Sequence, residues 1–142
     1  MKTVVFACVH NAGRSQMAAA FFNQIASSAE ARAESAGTQP GDRVHDQVVQ
    51  AMREVGIDLS SARPQLLTPE LTARAALLIT MGCGEECPFV SGLPREDWPL
   101  QDPQGRAIER VREIRDEIRV RVARLVATQR WSASDSTPSG PA

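Results

Sequence analysis

Val4-Val5-Phe6-Ala7-Cys8-Val9-His10-Asn11-Ala12-Gly13-Arg14-Ser15-Gln16-Met17 is the stretch that decides the fold. Residues 2–7 carry an apolar, β-branched run and read as a strand buried on both faces. From Ser15 to about Ser27, Met17, Ala18, Phe21, Phe22 and Ile25 recur at helical spacing. A cysteine therefore stands where a strand ends, and an arginine six positions on stands where a helix begins. Asn11 and Gly13 are both available for positive φ in the sharp turn between them. Such a turn aims successive backbone N–H groups at one point and makes an anion cradle, to which a helix N-terminus adds partial positive charge. A cysteine placed there favours its nucleophilic thiolate form. Arg14 can grip two oxygens of a tetrahedral oxyanion with its planar fork. Ser15 is expected to cap the helix and to hydrogen-bond the Cys8 sulfur. Val9, His10, Asn11, Ala12, Gly13, Arg14 and Ser15 are thus the expected oxyanion-binding residues, with Cys8 beneath the anion. The plainer alternative is a buried structural cysteine beside a solvated helix-end arginine. It leaves the shared position of thiol, glycine and charge as coincidence.

The rest of the chain fits a single domain. At 142 residues it is long enough for a core of ordinary size. A net charge of −1 implies neither a nucleic acid nor an acidic membrane as partner. No apolar run is long enough to span a bilayer, and the expected setting is cytoplasmic, as a monomer. The three cysteines are an odd number, which argues against a static disulfide framework.

Ala33-Glu34-Ser35-Ala36 reads as a second strand stopped by Gly37. A second helix is expected over about Val44–Val55, with Gly56 as its stop. Residues 57–68 read as irregular, and Thr68-Pro69-Glu70 opens a short helix with Thr68 as cap. Ala75–Thr80 is a third buried strand. Gly82–Pro103 is a long polar loop, of the kind that is usually functional, with Trp98-Pro99-Leu100 as a short edge strand. A last helix is expected from about Gln104 to Ala127 on an apolar face of Ile108, Val111, Ile114, Ile118, Val122 and Leu125. Arg112–Asp116 and Glu117–Arg121 are its expected ion pairs. A packed domain over 1–130 and a disordered Ser/Pro/Gly-rich tail over 131–142 complete the chain. Strands alternating with helices predict an α/β three-layer sandwich, a four-stranded parallel sheet with helices on both faces. Ligands of such sheets bind at the C-terminal strand ends, which is where the Cys8 loop lies.

Cys83 and Cys87 follow the third strand, which in a parallel sheet can neighbour the first. Thiol–disulfide exchange could then pass oxidation from Cys8 to Cys83 and on to Cys87. Zinc held by His10 and the three cysteines is the competing reading, disfavoured because no Cys-x2-Cys pair occurs; no metal or cofactor is expected. Plain loop thiols are the other. Asp102, before Pro103, is readable as a proton donor to a leaving oxygen, as the N-cap of the last helix, or as both. His45 and Asp46 read as solvated surface, and Trp98 as a loop anchor on the core.

The chain resembles the arsenate reductases built on the low-molecular-weight tyrosine phosphatase fold. The resemblance rests on Cys8-x5-Arg14-Ser15-Gln16-Met17-Ala18, Ser35-Ala36-Gly37-Thr38, Gly56-Ile57-Asp58, Ile79-Thr80-Met81-Gly82-Cys83, Cys87-Pro88 and Trp98 to Pro103. It implies that arsenate binds the Cys8–Arg14 loop and that Cys8 attacks arsenic while Asp102 helps expel water. Cys83 then attacks Cys8, arsenite leaves, and Cys87 closes a Cys83–Cys87 disulfide that thioredoxin reduces. Only three residues separate Cys83 from Cys87, closer than is common in thioredoxin-linked members. Relatives with fewer late cysteines use glutathione or mycothiol instead. Phosphate and sulfate are the expected competing anions. The acidic residue that holds potassium in certain members is here Ala19, so no potassium site is carried over. The alternative activity is hydrolysis of phosphate monoesters through a phosphocysteine at Cys8. Gln104 stands where those phosphatases usually carry tyrosine, and the sequence has no tyrosine at all.

Overall fold

Val4, Val5, Phe6 and Ala7 are wholly buried because their strand is an inner one, covered on both faces. In the computed structural model, which describes residues 1–82 and 89–132, the order is β1 (Lys2–Cys8), α1 (Arg14–Ile25), β2 (Ala31–Gly37), α2 (Asp46–Arg53), α3 (Pro69–Arg74), β3 (Leu77–Thr80), β4 (Arg95–Asp97) and α4 (Ile108–Gln129). The four strands are parallel, in the order β2-β1-β3-β4. Ala7 pairs with Thr80 and Cys8 with Gly37, so the C-terminal ends of three strands meet at the Cys8 loop.

Strand parity divides the core. Val4, Phe6 and Cys8 face one way, onto α1, α2 and α4; Val5 and Ala7 face the other, onto Leu71 of α3. The larger core is centred on Phe6, whose ring lies 6.0 Å from Phe22 and 5.7 Å from Trp98. Trp98 is therefore the expected anchor. Thr68 caps α3 as expected, accepting from the Leu71 N–H at 3.2 Å, with Pro69 as its first residue. Gly56 stops the chain after α2 with φ +84°. Trp131 packs on Phe22 and Ser132 bridges Ala26, so the packed fold runs past the boundary expected at 130. The tail expected from there onward lies, from residue 133, outside the described residues. No helix among the described residues is long and apolar enough to cross a membrane.

Three expectations shift. The edge strand is Arg95–Asp97, not Trp98–Leu100. Pro99 has no N–H for a ladder, and an edge strand tolerates the polar Arg95-Glu96-Asp97, which no apolar alternation marks. The last helix begins at Ile108 rather than Gln104. Arg112 pairs not with Asp116 but across to α2, where its Nε and Nη2 donate to both oxygens of Glu54 at 2.9 and 2.7 Å. Asp116 accepts instead from Arg115 at 2.8 Å, while Glu117–Arg121 forms as expected at 3.3 Å.

The buried Arg115 also reaches Glu54, at 3.0 Å, and the Ala51 carbonyl, at 2.9 Å, so one carboxylate clamps α4 to α2. The Arg112 hydrogen bond first, then the charges of Arg112 and Arg115, hold the Glu54 carboxyl down to about 2, from 4.5. A carboxylate depressed in the folded state stabilises fully above its unfolded pKa and loses that contribution as pH falls toward its folded value. Glu54→Gln is accordingly expected to lower the melting temperature at neutral pH. It should also flatten the loss of stability on acidification from 4.5 to about 2. Thermal melts across that range check this; an acid limb identical to the parent's would contradict it.

Candidate active site

β1 delivers Cys8 to the face that α1 covers, so its sulfur, in a residue only 2% exposed, points toward the helix rather than to bulk water. The loop that follows is held from outside. Cys8 O accepts from Thr38 N (3.2 Å), Val9 O from Gln39 N (2.8 Å), His10 O from Gly41 N (2.9 Å), Ala12 O from His45 N (3.0 Å) and Gly13 O from Met17 N (3.0 Å). Asn11 O accepts from Gln16 Nε2 at 3.1 Å. In a trans peptide the N–H points opposite to the C=O of the same unit. With the carbonyls turned outward, the N–H groups from Val9 to Arg14 turn inward, the arrangement of an anion nest.

Two bare Cα atoms allow this curl to pack. A Cβ on Gly37 would stand 2.6 Å from Val9 O and 2.9 Å from Asn11 N, and one on Gly13 would stand 2.9 Å from Pro103 Cγ. Within residues 9–14 it is Asn11 that takes positive φ, at 51°; Gly13, expected to do so as well, has φ −147° and is needed for space instead. Gly13 is also the N-cap of α1, and no side chain caps that helix. Ser15, expected to cap it, lies inside its first turn, where its hydroxyl is turned to Cys8 and Asn11.

The direction of those hydrogen bonds follows from one backbone group. Gln65 N–H can only donate, and it lies 2.9 Å from Asn11 Oδ1, which fixes that atom as oxygen. The other arm of Asn11 is then Nδ2, which donates to Ser15 Oγ at 2.7 Å. Ser15 accepts there, and its own hydrogen is available for Cys8 Sγ at 2.9 Å. The Cys8 sulfur thus faces the Ser15 O–H at the start of the loop whose amides turn inward.

Arg14, 7% exposed, closes the site on its far side. Its Nη1 donates to the Leu100 carbonyl at 3.0 Å, and its Nη2 lies 3.7 Å from Asp102 Oδ2. The pair is half-exposed on the Asp102 side and contributes little to stability; it fixes where the carboxylate sits. Asp102 Oδ1 accepts from Gln104 N at 2.9 Å, forming a local turn. Asp102 is therefore not the N-cap of α4, which is Ala107.

The model of the low molecular weight phosphotyrosine protein phosphatase family matches residues 3–133. The chain belongs to that family. Within it, a Halobacterium salinarum protein provisionally named an arsenate reductase is 40% identical over 126 residues, covering 84% of this chain and 87% of its own length. The glutaredoxin arsenate reductase of Synechocystis is 35% identical over 130 residues, covering 89% of this chain and 98% of its own. Among solved structures of the family fold, a thioredoxin-dependent arsenate reductase of Corynebacterium glutamicum superposes with a TM-score of 0.79 at 35% identity. That match covers 92% of this chain, which spans 62% of the length of the Corynebacterium chain.

On this phosphatase-family scaffold, Cys8 lies 2.9 Å from Ser15 and Arg14 3.7 Å from Asp102, at the two ends of the loop over residues 9–15. Cys83 and Cys87 lie outside the described residues. The chain reaches them from Gly82, whose Cα backs directly on the Arg14 guanidinium. His10 is turned away: a carbonyl only accepts, so its Nδ1 carries the proton it gives to Gln39 O at 3.0 Å. His45 contributes only its backbone N–H to the loop. Gln16, Gly37, Gln65, Gly82 and Leu100, none of them among the expected site residues, also hold the loop or Arg14. Gln65 and Leu100 act through backbone atoms, which leave no side-chain signature.

Proposed function

We propose that this chain is an arsenate reductase that uses Cys8 as nucleophile. The observation that carries the reading is the Cys8 sulfur 2.9 Å from a donating Ser15 hydroxyl, at the base of an inward-facing amide loop closed by Arg14. The named arsenate reductases among its relatives support the choice of oxyanion.

The electron count supports the rest. Arsenate seats its oxygens on the amides of residues 9–14 and on Arg14. The Cys8 thiolate attacks arsenic, an S–As bond forms, and one oxygen leaves as water after protonation by Asp102. The Cys83 thiolate attacks the Cys8 sulfur; the S–As pair stays with arsenic, which departs as arsenite, reduced by two electrons. Cys87 attacks Cys83, releasing Cys8 and leaving a Cys83–Cys87 disulfide for a dithiol protein such as thioredoxin. Phosphate, of the same shape and charge, competes for the loop but offers no reducible centre.

Arsenite release in the presence of thioredoxin, thioredoxin reductase and NADPH tests this. Cys83→Ser is expected to stop after the first adduct, and Cys87→Ser to complete one turnover but not recycle. Sustained turnover by Cys83→Ser would remove the relay, and full recycling of Cys87→Ser by thioredoxin would do the same for its last step. A second reading, phosphate monoester hydrolysis, draws on the family's own name and on the Asp102–Arg14 approach of 3.7 Å. Aryl phosphate hydrolysis in the same preparations, outpacing arsenite release, would favour it.

A further inference from the structure

We propose that Gln16 is a positioning residue for Cys8, acting through Asn11 and Ser15. The inference rests on the reading of Cys8 as nucleophile. Gln16 is 6% exposed although it is polar and sits in the first turn of α1. Its side chain runs back to the Asn11 carbonyl and across to the carbonyl of Arg63. There Nε2 lies 3.1 Å from Asn11 O, 3.2 Å from Asn11 Oδ1 and 3.2 Å from Arg63 O. One amide thus holds both the backbone and the side-chain oxygen of the single residue in the loop with positive φ, and ties them to the segment at 63–65.

That grip matters because Asn11 is held where asparagine is not at its most stable. Left-handed backbone is disfavoured for any residue with a Cβ. Removing the amide frees Asn11 to relax toward negative φ, which swings Nδ2 away from Ser15 Oγ. Ser15 then loses the donor that commits its lone pair, and its own O–H is no longer held toward Cys8. The Gln65 N–H alone remains on Asn11 Oδ1. Gln16 holds the loop from behind, on the Asn11 carbonyl and side chain, so its effect reaches the Cys8 sulfur through Asn11 and the Ser15 hydroxyl.

The test is iodoacetamide alkylation of Cys8 in the full chain, in a Cys83→Ser/Cys87→Ser background so that one thiol reacts. Gln16→Met keeps the volume and removes the donors. It is expected to lower the alkylation rate at about pH 6.5 by about 3- to 10-fold, while the rate at about pH 9, where an ordinary free thiol is largely ionised, stays within about twofold. Gln16→Glu places an acceptor among three acceptor oxygens and is expected to lower the rate at about pH 6.5 by at least as much. A lowered melting temperature with an unchanged ratio of the two rates, in whichever variant folds, would show a packing role only and overturn the proposal. If the parent's Cys8 itself reacts at about pH 6.5 no faster than an ordinary free thiol, the nucleophile reading falls first, and that outcome is distinct from an unmoved ratio.

Discussion

Cys8→Ser is expected to abolish arsenite formation, by at least about 10⁴-fold, while leaving the fold and the anion site in place. The substitution is nearly isosteric, and a serine oxygen can still exchange a hydrogen bond with Ser15. What it cannot supply is electrons. Reduction of As(V) needs two of them, passed when the Cys83 sulfur attacks the Cys8 sulfur and the S–As bonding pair leaves with arsenic; an oxygen at position 8 forms no disulfide with Cys83. The loss is therefore of a reaction path and not of a rate factor. Phosphate binding followed by calorimetry should survive, since the amides of residues 9–14 and Arg14 are untouched. Arsenite formation near the parent rate would remove the mechanism, and loss of folding would show that the substitution is no test of it.

Gly82→Ala is expected to give the next largest effect, a fall in kcat/KM for arsenate of about 10²-fold or more. Gly82 has φ +91°, where an added side chain is strained, and its Cβ would stand 2.2 Å from Arg14 Nη1. The arginine must yield. It would lose its 3.0 Å bond to the Leu100 carbonyl and its approach to Asp102, so the oxyanion clamp and the proton donor are displaced together. The left-handed backbone adds a stability cost of about 1 kcal/mol or more. Steady-state kinetics beside thermal melts separate the two. A stable variant with parental kcat/KM would mean that Arg14 does not need the position the structure gives it.

How much of this was legible beforehand depended on whether side chains or backbone carried the signal. Val4–Ala7 and the thiol, glycine and arginine after it are side-chain facts, and they located β1, the loop, α1 and the parallel sheet. Asn11 was legible as the residue at positive φ because its side chain tolerates that conformation; Gly13 misled because its role is to leave room for Pro103. The capping role expected of Ser15 competed with its bond to Cys8, and the sulfur won because Gly13 already ends the turn. Residues 57–68 looked irregular, yet Gln65 supplies its N–H to Asn11 and Arg63 its carbonyl to Gln16, backbone contacts that any residue but proline could make. The edge strand was missed for a related reason: β4 is identified by its ladder to β3, not by its polar side chains. On α4, Arg112 was read against its own helix although a longer reach, to Glu54, gave two hydrogen bonds instead of one exposed pair.

The most direct test mixes the fully reduced protein with one equivalent of arsenate, without thioredoxin, and maps its disulfides by mass while counting arsenite. The expected result is one arsenite per chain, a Cys83–Cys87 disulfide and a Cys8 that still alkylates. Three reduced thiols with no arsenite would contradict the proposed chemistry at its root.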